Sequence, residues 1–106
     1  MDLQSTAHRS VRLSRQQEAA LAKAVELVTE LKYTEAAEKL APLVKDFDAV
    51  GSLTRAAEAM FWTAYCHEKL DHRTQAEELY RFVVRKYPQT RASGPASAGL
   101  SRFKPE

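Results

Sequence analysis

Two stretches, TEAAEKLAPLVKDF at residues 34–47 and TQAEELYRFVVRKY at residues 74–87, decide the fold. In the first, Ala36, Ala37, Leu40, Leu43, Val44 and Phe47 recur at spacings of three and four, which places them on one side of an α-helix. Ala76, Tyr80, Val83 and Val84 do the same in the second. An offset of 40 residues lays Ala36 on Ala76, Leu40 on Tyr80, Leu43 on Val83, Val44 on Val84 and Phe47 on Tyr87. The same offset lays Ala24 on Ala64. Methyl-sized side chains at such places let two helix axes approach closely while larger neighbours fill the grooves. The chain therefore reads as one helical unit used twice.

Upstream, Ser14 and Gln17 stand at capping-box spacing and open a helix that runs to about Lys32, with Ala20, Ala24, Leu27 and Leu31 on its inward face. Residues 1–13 lack a sustained period and read as a flexible arm. Thr34 caps the second helix, in which Pro42 is expected to produce a kink. Gly51 interrupts the periodicity, and Ser52 or Thr54 opens a third helix through Leu70 with Ala57, Met60, Ala64 and His67 inward. A second capping box, Thr74 with Glu77, starts the fourth helix, which ends at Tyr87-Pro88. Connections this short force paired helices to lie antiparallel. Beyond them, Gly94-Pro95 followed by Ala96, Ala98, Leu100 and Phe103 predicts a partial closing helix over 91–106, ending in a basic tail.

At 106 residues the chain has room for one core, and three glycines and four prolines leave few tight turns. The net charge of +2 is small but uneven. Arg81, Arg85, Lys86, Arg91, Arg102 and Lys104 crowd the C-terminal end, opposed there by Glu106. That reads as a solvated face and tail, or as a weak patch for an acidic partner or nucleic acid. Cys66 is the single cysteine, which excludes an intramolecular disulfide and favours a reducing compartment. No apolar run has signal-peptide or membrane-spanning length. A cytoplasmic protein is expected, or a periplasmic one if the chain is an excised domain.

Each hairpin carries a small residue in its first helix (Ala24, Ala64), another early in its second (Ala36, Ala76), and large apolar residues one and two turns on. With the closing Tyr87-Pro88, this pattern resembles the tetratricopeptide repeat family over about residues 17–90. The Lys86-Tyr87-Pro88-Gln89-Thr90 ending and the stretched period resemble the subgroup found in bacterial cell-envelope proteins, the Tol-Pal-associated and outer-membrane-assembly repeat proteins. Asp48 stands at the place of a proline and His67 at that of a large aromatic. The resemblance implies an all-α fold within residues 14–90. Two antiparallel hairpins, repeat one about 17–50 and repeat two about 57–90, would stack as a short right-handed solenoid with a short C-terminal helix.

It also implies a concave groove that presents Glu18, Leu21, Val25, Val28, Thr29, Glu58, Phe61, Tyr65, Glu68 and Lys69 to a partner protein. The residues themselves point the same way. Leu21, Val25 and Val28 form a second apolar stripe, as do Phe61 and Tyr65, and a hairpin needs only one for its own core. The surplus must meet a ligand peptide, the chain's own ends or another copy; packed internally, it would join repeat to repeat. Phe61 and Tyr65, one turn apart, are the sharper anchors, with Trp62 expected to point away from both.

Chemistry is not expected. His67, His72 and Cys66 are read as pointing in three directions, which argues against a metal site. Glycines 51, 94 and 99 are isolated, so no phosphate-binding loop is read. Glu77 and Glu78 diverge and have no histidine or serine at useful spacing. The expectation is a protein-interaction module without cofactor, metal or catalysis. Self-assembly as a homodimer or part of a longer array is the first alternative, and weak nucleic-acid binding through the basic end the second.

Overall fold

The structure, a computed structural model, describes residues 3–103, with side chains from Arg15 onward. It consists of α1 (Leu3–Thr29), α2 (Tyr33–Ala49), α3 (Leu53–Lys69), α4 (Arg73–Lys86) and α5 (Ser93–Ser101). No strand occurs among the described residues, so the fold is all-α as the periodicities require.

The first three connections share one construction. Leu31, Gly51 and Asp71 take positive φ angles of 63°, 77° and 64°. Their amides donate to the carbonyls of Val28, Asp48 and Glu68 at 3.0, 3.0 and 3.1 Å. The following amides, of Lys32, Ser52 and His72, donate to Leu27, Phe47 and His67 at 2.9, 2.8 and 2.8 Å. This is the Schellman closure, which satisfies the last carbonyls of a helix with a single left-handed residue. The turns recur every 20 residues, half the offset read from the sequence. Ala36, Ala56, Ala76 and Ala96 stand at the same step and are all fully buried.

That construction overrides the expected caps. The residues preceding α2, α3 and α4 are Lys32, Ser52 and His72, and none makes a side-chain cap hydrogen bond. One linking residue after the left-handed position leaves no room to place Thr34 or Thr74 outside a helix. Both are helical, and the carbonyls of Lys32 and His72 accept from Ala36 and Ala76 at 3.0 Å. Ser14 likewise lies inside α1, which starts at Leu3, so most of the arm expected over 1–13 is helical backbone. Adding residues to a formed helix is far cheaper than nucleating one, so weak periodicity does not stop it. Residues 1–2 of the arm and 104–106 of the tail lie outside the described residues.

Consecutive helices pack together, α1 also touches α3, and α3 also touches α5, while the backbones of α2 and α4 stay apart. α3 is thus central and buries more than one stripe: Ala56, Ala57, Ala59, Thr63, Ala64 and Cys66. The core facing it comprises Leu40, Leu43 and Phe47 from α2 with Tyr80 and Val83 from α4. On α1 the buried line is Leu21, Ala24 and Val28, which runs between the two stripes read from the sequence. Ala20 is exposed and Leu31 belongs to the turn, corrections set by the position of α2 and α3 beside α1. Met60 and His67 are half-buried, on the side of α3 left open between α2 and α4.

Candidate binding groove beside the central helix

Arg55, Glu58 and Trp62 recur at spacings of three and four along α3, and Phe61 lies one position from the last of them. These side chains fill the bottom of a hollow of about 540 Å³, walled by Glu18 of α1 and by Arg91 and Pro95 around the start of α5. Because α3 touches α1 and α5 only lightly, its outer face stays partly open between them. Arg55 spans the hollow: its Nε donates to Glu18 Oε1 at 3.0 Å, and its Nη1 lies 3.4 Å from Glu58 Oε2. Hydrogen bonding to Glu18, then the charge of Glu58, raises the Arg55 guanidinium above its ordinary value. These are exposed pairs, so they orient side chains more than they stabilise the fold.

Beside the ion pairs runs a chain of rings. Phe61 and Trp62 meet edge to face with centroids 5.2 Å apart. Trp62 and Tyr65 are 5.5 Å apart, and Tyr65 reaches Tyr33 of α2 at 6.4 Å. Phe61 also approaches the buried Tyr80, at 5.8 Å. Such pairs contribute beyond the area they bury. The expectation that Trp62 points away from Phe61 and Tyr65 is therefore overturned: consecutive helical positions differ by about 100°, and large indole and phenyl rings bridge that angle. Lys69 Nζ lies 5.3 Å above the Tyr65 ring.

The expected contact residues divide into three groups. Glu58 and Phe61 line the hollow, and Tyr65 with Lys69 extends the aromatic strip along α3. Leu21 and Val28 are 4 % and 5 % exposed, and Val25 is half-buried against the same core, so this stripe joins α1 to its neighbours and offers little to a partner. Glu68 is engaged elsewhere, accepting from Tyr80 Oη at 2.7 Å and from Arg102 Nε at 2.8 Å. Arg55 went unread, and Arg91 and Pro95 were read only as parts of the basic end and of the closing helix. The stripe of Arg55 with Glu58 and Trp62 was legible, but the approach of Arg91 and Pro95 depends on where α5 docks.

His67 and His72 also depart from expectation. The three-residue turn folds back so that their Nδ1 atoms lie 3.0 Å apart, one ring donating to the other. Burial, then the neighbouring imidazole, lowers His67 from its ordinary value. Cys66 is fully buried, which pushes its thiol up to about 11. Among the described residues no group of three or more His, Cys, Asp or Glu side chains could hold a metal ion. No helix there is long and apolar enough to cross a membrane.

Much of the basic C-terminal segment is paired internally. Arg81 meets Glu77 at 2.9 Å, Lys86 meets Asp48 at 3.4 Å and Arg102 meets Glu68 at 2.7 Å. Arg73 Nη2 donates to the Phe103 carbonyl at 3.4 Å, holding the end of α5 against α4. No family model matches the chain, and no curated protein or solved structure matches it either.

Proposed function

We propose that this chain is a protein-interaction module of the tetratricopeptide-repeat kind, which takes an extended partner segment along the outer face of α3 between α1 and α5. The observation that carries this reading is the open hollow in which half-buried Phe61 and Trp62 adjoin Arg55, Glu58, Glu18 and Arg91. Apolar rings beside fixed charges of both signs suit a peptide: the rings supply contact area at low entropic cost, and the charges set register. The recurrence of alanines and turns supports a stacked-hairpin arrangement, as does the contact of α1 with α3 and of α3 with α5. The contact set is Glu58, Phe61, Trp62, Tyr65, Lys69 and Arg91. Leu21, Val25 and Val28 serve the core.

A displayed library of extended peptides, panned against the whole chain, tests this. Enriched peptides are expected to perturb the amide NMR signals of α3, of Arg91 and of the start of α5. Trp62→Ala combined with Arg91→Glu is expected to weaken their binding by roughly tenfold or more, equivalent to about 1.4 kcal/mol, with helical circular dichroism retained. Peptides that bind this variant equally well, or that perturb the α2 and α4 face instead, would overturn the reading.

A further inference from the structure

On the side of α3 away from that hollow lies a second surface. Because the backbones of α2 and α4 stay apart, Met60 of α3 is left half-buried at the bottom of a trough. The trough comprises two adjoining hollows of about 320 and 410 Å³, both lined by Met60, Leu79 and Phe82. Phe82 is 45 % exposed at its rim, the one aromatic side chain among the large hydrophobic residues left exposed in the described chain. An exposed ring beside an apolar trough offers contact area to a partner.

The charge pattern around it indicates which partner. Glu78, Phe82 and Lys86 follow one another at spacings of four, so they form a single stripe on α4 with an acid before the ring and a base after it. Lys86 Nζ lies 5.6 Å over the Phe82 ring. Its own partner, Asp48, is 3.4 Å away in an exposed pair, which leaves the ammonium able to donate to a second carboxylate. Turned end for end about Phe82, this stripe complements itself: acid falls on base, ring on ring, base on acid. A two-fold axis imposes that arrangement, since a contact from one residue to a second is then returned from the second to the first.

We infer that the occupant is a second copy of this chain, docked α4 against α4 in antiparallel fashion about Phe82, with Glu78 of each copy paired to Lys86 of the other. The dimer leaves both aromatic hollows beside α3 open on its outer sides, so it stands or falls independently of what those hollows bind.

Light scattering and sedimentation equilibrium of the whole chain, over a roughly hundredfold range of concentration, test the inference. A monomer–dimer equilibrium is expected, and Phe82→Ser is expected to shift it to monomer with circular dichroism unchanged. Glu78→Lys and Lys86→Glu are each expected to be monomeric alone, because like charges then meet at both contacts. Mixed one to one, these two variants are expected to recover a heterodimer, a rescue that damage to the fold cannot produce. A wild-type chain that stays monomeric throughout overturns the inference, and so does a dimer that survives Phe82→Ser. Failure of the mixture to associate while the wild type dimerises would equally overturn it, showing that the copies meet differently.

Discussion

Tyr80, fully buried on α4, donates its hydroxyl proton to Glu68 at the end of α3 across 2.7 Å, and Arg102 closes on the same carboxylate at 2.7 Å from beyond α5. One carboxylate thereby ties three successive segments. The bonds from Arg102, chiefly, hold Glu68 below its ordinary value against the opposing effect of burial.

Tyr80→Phe keeps the ring and removes one neutral-to-charged hydrogen bond, so it is expected to cost about 1–2 kcal/mol, read as a fall of roughly 4–8 °C in Tm per kcal/mol. Glu68→Ala is expected to cost more, because it strands the Tyr80 hydroxyl. The lowered Glu68 value also fixes a pH dependence. Its contribution is complete above the ordinary carboxylate value near 4.5 and is lost as pH falls below that toward the folded value. Urea midpoints of the wild type and Glu68→Gln should therefore converge under acid.

Gly99 lies against the Tyr80 ring: a Cβ there would stand 2.7 Å from Cε2 and 2.8 Å from Cζ. Gly99→Ala is expected to destabilise the fold by roughly 1–3 kcal/mol through overpacking and to lift α5 from α4. Hydrogen exchange resolved by residue checks the second part, with protection falling in residues 93–101 before the rest.

Leu31 is 70 % exposed with φ of 63°, so its side chain gains little from packing while its backbone occupies the left-handed region. Leu31→Gly is expected to stabilise the chain by roughly 0.5–1 kcal/mol, the steric cost of a Cβ there being partly offset by the freer unfolded chain. Gly51→Ala, at the same place in the next turn, is expected to lose a comparable amount. Thermal melts of both variants check the pair of opposite signs.

The Nδ1 atoms of His67 and His72 lie 3.0 Å apart, and His67 is half-buried, so a proton added to His67 meets both burial and the neighbouring ring. Since burial and the second ring lower His67, the folded state binds protons less readily than the unfolded one. Stability from this source is complete above about 6.5 and falls as pH drops from there to the depressed folded value. The denaturation midpoint should decline between neutral pH and pH near 5, and His72→Gln should flatten that decline. An unchanged slope in the variant would remove the pair as its cause.

Much of the helical order was readable because periodic apolar positions and breakers are local. The core positions of α2 and α4, such as Leu40, Phe47, Tyr80 and Val83, are those their spacing indicates. The left-handed residue of a turn was readable at Gly51 alone; at Leu31 and Asp71 the packing of the flanking helices holds non-glycine residues in that conformation. In the hollow beside α3, Phe61 was legible as surplus apolar surface and Glu58 through the family resemblance. Arg91 and Pro95 were not, since they arrive from a segment distant in sequence.

The sequence by itself determined that the chain is helical, where most breaks fall and that a unit recurs, because each follows from steric and hydrogen-bonding preferences within a few residues. Tertiary structure alone decided which line of α1 is buried, that His67 meets His72, and that Trp62 joins the aromatic strip. Periodicity defines a helix's faces relative to one another but not its rotation about its own axis. That rotation minimises the exposed apolar area and unfilled space summed over every neighbour at once, a quantity with no meaning until the helices are together.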